Sequence, residues 1–238
     1  MKHLNTCLKI FLLILFVGAV SCKEIEYKPS GAGDALIITL VTESDTLFGL
    51  GLHAYTYDHF SSVIVYHSDD MSRKYTLEPF EGYDNDLSYE TPLAEMSQNI
   101  PSVGEYIFQA TFPGDELLTF SDVLSSKYVL PPVIETCEYN YELDKVIVNW
   151  GEITGDEVLS IKLYNLQRGL LFISQAIDKS LMTYMFGNQS EGWFSDVLPV
   201  PGEDYIVEIS TYIFEQNSSG SLNIQSVGRI EKTITWGD

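Results

Sequence analysis

The sequence predicts an all-β protein made of two tandem β-sandwich domains. Three observations carry this. Apolar or alternating runs of strand length recur along the body of the chain, separated by Gly, Pro, Asn and Asp. No run after residue 21 sustains the 3.6-residue apolar period of a helix. The 15 Tyr and 12 Phe, with abundant Ile, Val and Thr, favour strands. At 238 residues and 45% hydrophobic content the chain can build two cores, so long disordered stretches are not expected.

The first segment is of a different kind. Lys2 and Lys9 flank a basic start, and residues 10–20 (IFLLILFVGAV) form an apolar run. A helix across a bilayer core takes about 20 apolar residues, so this run is too short to span and has the length of a signal-peptide apolar region. Small residues follow, ending in Ala19-Val20-Ser21-Cys22. This tetrapeptide resembles the lipobox of bacterial lipoproteins, with Ala19 where Leu is commonest. The resemblance implies removal of residues 1–21 and acylation of Cys22. One acyl chain binds a membrane only marginally, at about 0.8 kcal/mol per buried methylene, so stable anchoring takes more than one. Lys23-Glu24-Ile25-Glu26 is similar to the surface-export signals of Bacteroidota lipoproteins. Residues 22–33 read as a lipidated tether, because Pro29, Ser30, Gly31 and Gly33 oppose regular structure.

Residues 34–130 are the first expected sandwich. Residues 35–41 (ALIITLV) have strand length. A strand over 47–57 follows, in which Gly49 and Gly51 suggest a bulge or a close backbone contact. Residues 62–66 and 74–77 are further strands, and the polar stretch 81–92 reads as a loop. In 105–112, Tyr106, Phe108, Ala110 and Phe112 share one face. Residues 116–124 return after Pro113-Gly114-Asp115. Leu130-Pro131-Pro132 then forms a short stiff hinge, since paired prolines cannot sit in a central strand.

Residues 131–238 are the second expected sandwich. Val146, Val148 and Trp150 share a face, then Leu159, Ile161 and Leu163. Residues 170–174 and 183–186 follow. Tyr205, Val207, Ile209 and Thr211 alternate with polar and apolar neighbours. Asn217 to Gly220 is a turn, and 227–236 closes the domain. This half resembles a fibronectin type III domain, on Pro131-Pro132, Trp150, Leu198, Pro201-Gly202, Tyr205 and the alternating Val207 and Ile209. The resemblance implies that Leu198 packs in the core and that the Tyr205 hydroxyl bonds back to the corner backbone. One residue more than usual separates Leu198 from Pro201. Pro101, Gly104 and Tyr106 echo the same pattern more faintly, so the first half reads as another immunoglobulin-like sandwich.

Charge narrows the function classes. The formal net charge is −21, and removing a leader with Lys2 and Lys9 leaves 11 basic against 34 acidic residues. Phosphate backbones and anionic lipid surfaces repel such a body, so no nucleic-acid partner is expected. With Cys7 in the leader and Cys22 acylated, Cys137 is left without a disulfide partner. Its flanks, Glu135 and Glu138, disfavour a thiolate, so it reads as structural.

No nucleophile elbow, phosphate loop, HExxH or CxxC pair occurs. His53, His59 and His67 lie near Asp58, Asp69 and Asp70, but their spacing of six and eight residues matches no local zinc motif. Asp84-Asn85-Asp86 with Glu81 and Glu90 is oxygen-rich, yet lacks the order of an EF-hand and reads as a solvated acidic loop. No metal, cofactor or catalytic residue is therefore expected. Tyr55, Tyr57, Phe60, Tyr83, Tyr89, Trp193 and Phe194 fall in or near loops and are the candidate ligand-contacting aromatics. The sequence thus predicts a non-catalytic lipoprotein of the cell envelope, lipid-anchored to the outer membrane, that acts as an interaction or scaffold module on an envelope protein or a glycan. The alternative is a carbohydrate-binding accessory lipoprotein of a glycan-uptake system, similar in layout to starch-utilisation surface proteins.

Overall fold

The computed structural model describes residues 28–237 apart from 43, 81–82, 154, 156, 195–196 and 216–222. Cys22, the leader, Glu81 and the expected turn at 217–220 lie outside the described residues. Among those described there is no α-helix, only one 3₁₀ turn at Leu93–Glu95.

The first half contains β1 (Ala32–Val41), β2 (Thr46–Tyr55), β3 (Ser62–His67), β4 (Asp70–Thr76), β5 (Glu78–Phe80), β6 (Tyr83–Glu90), β7 (Gly104–Thr111) and β8 (Leu117–Leu124). The second contains β9 (Ile134–Asn140), β10 (Lys145–Trp150), β11 (Val158–Asn165), β12 (Leu170–Ile173), β13 (Thr183–Phe186), β14 (Asp204–Phe214) and β15 (Ile224–Thr235). The alternation read in 105–112 and 145–150 places Tyr106, Phe108, Ala110, Val146, Val148 and Trp150 in the interior.

The chain is all-β and built as sandwiches, but the two are not separate beads. One eight-stranded sheet, ordered β12-β11-β14-β15-β1-β2-β6-β5, runs through both halves. Its midpoint is a parallel pairing of β1 with β15, with Ile37 opposite Ser226 and Leu40 opposite Arg229. Sheet β4-β3-β7-β8 closes the first core and sheet β13-β10-β9 the second. Ala35 and Ile37 of β1 enter the first core, and Ile230 and Ile234 of β15 pack in the second. Because Ile37 pairs with Ser226, these residues share a face, so both small sheets cover the same side of the long one. On the opposite side Leu36, Ile38 and Val227 form a third apolar cluster with Met96, Tyr212 and Ile224.

Several expectations change. The tether was expected to run to residue 33, but β1 begins at Ala32. Gly33 pairs with Ala54 in the strand, and the Phe108 ring lies against it; a Cβ there would stand 2.8 Å from the ring. The expected loop over 81–92 contains β6, whose polar outer positions hid it. The expected hinge is sewn down. Val129, Pro131 and Pro132 are buried. Val129 N–H donates to Ser226 Oγ (3.3 Å), Thr211 Oγ1 donates to the Leu130 carbonyl (3.0 Å), and Gln225 Nε2 donates to the carbonyls of Ser125 (3.1 Å) and Lys127 (3.0 Å).

Tyrosine corners brace both halves. Val200 N–H donates to the Tyr205 hydroxyl (2.8 Å), as the fibronectin resemblance implied. The fainter echo in the first half has the same device: the Tyr106 hydroxyl donates to the Ser102 carbonyl at 2.8 Å. Leu198 departs from expectation. It is exposed, and Pro199 is buried beside it. The extra residue before Pro201 shifts the inward position by one.

Candidate functional site

The face of the long sheet that points away from both small sheets carries a groove of about 240 Å³ where the halves join. Alternation along six strands decides what it presents. Positions that point away from the cores are Lys162 on β11, Tyr212 on β14, Val227 and Arg229 on β15, Asp34 and Leu36 on β1, Gly51 and His53 on β2, and Asp86, Ser88 and Glu90 on β6. The β1–β2 ladder runs without a register shift, so Gly49 and Gly51 mark close contact and no bulge. Leu36 lies over Gly51 and Met96 over Gly49, where a Cβ would meet them at 2.9 and 2.8 Å. Phe80 on β5 forms an apolar rim.

The charges in and beside the groove are mostly paired. Arg229 grips Glu90 bidentately, at 2.7 Å for both contacts, across the junction between the halves. Lys162 reaches Glu208 at 3.2 Å. Glu208 is only 3% exposed. Burial would raise its carboxyl, but Lys162, Arg229 and the Ser210 hydroxyl (2.7 Å) outweigh this and hold it below the usual range. His53 Nε2 bonds Asp86 Oδ1, and His59 Nδ1 meets Asp84 Oδ1 at 2.6 Å.

Asp34 is different. It is 8% exposed. One carboxylate oxygen accepts the Ile224 N–H at 2.8 Å, while Oδ1 is buried without a hydrogen-bond partner. Nearby, Asp122 Oδ2 accepts the Ala35 N–H at 2.8 Å. Burial pushes the Asp34 carboxyl up to about 7; Asp122 and Glu215 add to the shift, and the Ile224 N–H opposes it. Sequence reasoning missed this residue. Its one signal is an acid immediately preceding the apolar run 35–41.

The structure separates the sequence-predicted aromatics. Tyr57 is 85% exposed and meets Tyr55 edge-on at 5.3 Å. Tyr83 is exposed at the start of β6, and Phe194 is exposed in the second half. Tyr89 lines the groove and leans on Tyr75 at 5.0 Å. Phe60 corrects the expectation: it is buried against Phe112 in the first core, because the segment before β3 turns inward. Trp193 is half-buried, edge-on to Phe172 (5.2 Å) and Trp236 (6.0 Å), and serves the second core. The seven therefore do not form one platform.

The histidines do not gather either. His53 and His59 each pair with an aspartate, and His67 is buried with Nε2 against the Val103 carbonyl at 3.0 Å. Asp84 and Asp86, expected in a loop, stand on β6 as their partners. Among the described residues no three His, Cys, Asp or Glu side chains group as a metal site. Burial pushes the Cys137 thiol up to about 12, and Glu138 adds to this. A second cleft of about 250 Å³ lies in the first half, where Arg73 sits 5.3 Å over the Tyr75 ring. No helix among the described residues is long and apolar enough to cross a membrane.

No protein-family model matches the sequence, and no curated protein matches it. Solved structures with similar folds include the chicken CNTN1 FN1-FN3 domains, at 9% identity and a TM-score of 0.33, covering 85% of this chain and 64% of that one. They also include Tp47, the 47-kilodalton lipoprotein of Treponema pallidum, at 13% identity and a TM-score of 0.36, covering 84% and 50%. A biofilm associated protein, in its BSP domain, is similar at 15% identity and a TM-score of 0.25, covering 89% and 29%. The chain spans less than two thirds of the length of each.

Proposed function

We propose that the chain is a non-catalytic interaction module of the cell envelope, held at a membrane by lipid on Cys22 and presenting the groove face to a partner. The observation that carries this reading is the shared sheet. It joins both halves through β1 and β15, and among the described residues no further sheet covers its opposite face at the junction. Such a body holds a binding surface in fixed geometry at the end of a tether. The charge pattern favours recognition over chemistry. Glu90, Glu208, Lys162 and Arg229 are locked in ion pairs, and a group locked in this way is poorly placed to move a proton.

Two measurements test the reading. Cells fed radiolabelled palmitate should label the wild type and not Cys22→Ser; equal labelling counts against the anchor. The immobilised chain should retain an envelope component, and Phe80→Ala, at the exposed rim, should lose it. Recovery of no component counts against the interaction role.

Glycan binding is the second reading, favoured by the exposed Tyr55–Tyr57 pair, since flat rings beside polar groups suit sugar faces. A glycan array with hits that vanish in Tyr57→Ala supports it, and an array without hits removes it.

A further inference from the structure

We propose that the groove at the junction is a binding site for a small alkylamine, whose ammonium group is received by Asp34 and whose aliphatic stem lies along Leu36, Ile224 and Val227. The inference rests on the reading of the groove face as the recognition surface and names a ligand class for it.

The charge inventory points to a cation. Arg229 is taken by Glu90, Lys162 by Glu208, and Asp86 by His53. Among the described residues lining the groove, Asp34 alone carries a carboxyl group with no side-chain hydrogen-bond or ion-pair partner. Its Oδ1 is buried with nothing to accept from. A buried acceptor left open is costly, on the order of 1–3 kcal/mol and more for a charged group, so a donor that fills it is favoured. The groups facing Asp34 reinforce the preference. Asp122 on β8 and Glu215 beyond β14 are acids that repel its charge. Across the β1–β2 ladder stands His53, already bonded to Asp86. The nearest strand end, at Ile224 on β15, supplies one backbone N–H. Lys162 and Arg229 lie in the same groove but are held by other acids.

The rest of the lining selects an organic cation. Leu36, Ile224 and Val227 form an aliphatic floor with the Tyr212 ring beside it. A volume of about 240 Å³ suits a short chain. A bare metal ion would find no three-ligand set among the described residues. The net charge of −21 concentrates cations near the surface before docking.

The proposal has a distinct pH signature. Empty, the Asp34 carboxyl titrates near 7, so at lower pH a proton occupies the place of the ammonium. An alkylammonium stays charged to about pH 10. Affinity should therefore rise as pH passes through 7.

The test is calorimetric titration of the purified chain with n-butylammonium chloride at pH 5.5 and 8.5, with n-butanol and calcium chloride as comparison ligands. The expected result is affinity at least about tenfold higher at pH 8.5, no measurable binding of butanol, and a loss of about tenfold or more in Asp34→Asn at pH 8.5. A second readout needs no variant: the carbon-13 titration midpoint of the Asp34 carboxyl should fall when butylammonium is saturating. Equal binding of butanol, an affinity indifferent to pH, an unmoved Asp34 midpoint, or binding of calcium in place of the amine overturns the proposal. If the amine fails while an envelope component still depends on Phe80, only the ligand class is lost.

Discussion

Replacing Ile38 by Ala tests whether the two halves are one thermodynamic unit. Ile38 sits in β1, in the first half, and is fully buried in the junction cluster with Leu36 and Val227. The change removes three carbons. At about 0.8 kcal/mol per methylene this is about 2.4 kcal/mol of transfer free energy, and the space left behind raises the cost to about 3 kcal/mol. For a cooperative unit of this size that lowers Tm by roughly 6–12 °C. All three tryptophans, Trp150, Trp193 and Trp236, lie in the second half, and they pack in or against its core. Thermal unfolding followed by tryptophan fluorescence therefore reports on a region that the mutation does not touch. The junction predicts that the fluorescence-detected Tm falls with the Tm from far-ultraviolet circular dichroism. An unchanged fluorescence transition beside a lowered dichroism transition would refute the coupling.

Other consequences follow from individual contacts. Tyr106→Phe removes the hydroxyl that donates to the Ser102 carbonyl, and Tyr205→Phe removes the acceptor for Val200 N–H; each should cost about 1 kcal/mol in urea denaturation, and no loss in either would remove the corner from the stability account. Asp34 is held near 7 in the native chain against an ordinary 3.8, so the folded state binds its proton more tightly. Its stabilising share is full below about pH 4, is lost as pH rises toward 7 and is flat above. Urea denaturation should find Asp34→Asn gaining on the wild type across this window, by on the order of 4 kcal/mol; a variant that loses ground reverses the sign and contradicts the burial argument. Native Cys137 should resist alkylation at pH 8 and react fully in guanidinium, read by peptide mass spectrometry, because burial holds the thiol near 12.

Sequence periodicity made the small sheets legible. Tyr106, Phe108 and Ala110, or Val146, Val148 and Trp150, announce inward faces because the other face meets water. The long sheet was harder to read for the same reason. On β6, Asp84, Asp86 and Ser88 look like a polar loop, yet Asp84 pairs with His59 and Asp86 with His53, while Leu87 alone is fully buried. Lys162, Glu208 and Arg229 look like solvated positions of amphipathic strands. Lys162 and Glu208 face each other on β11 and β14, and Arg229 reaches Glu90 because β15 and β1 lie side by side. That pairing joins residues nearly the whole chain apart, and no local pattern encodes it. The site shared this fate: loop aromatics drew attention to Phe60 and Trp193, which serve the cores, whereas the groove is assembled from outward residues of six strands.

Native-state hydrogen exchange across β1 and β15 tests the shared sheet most directly. The pairing of Ile37, Ile38, Thr39 and Leu40 with residues 226–229 predicts that both stretches exchange together and as slowly as the core strands β10 and β14. Fast exchange on both sides, or protection confined to one half, would mean that the halves are separate and that no common sheet joins them.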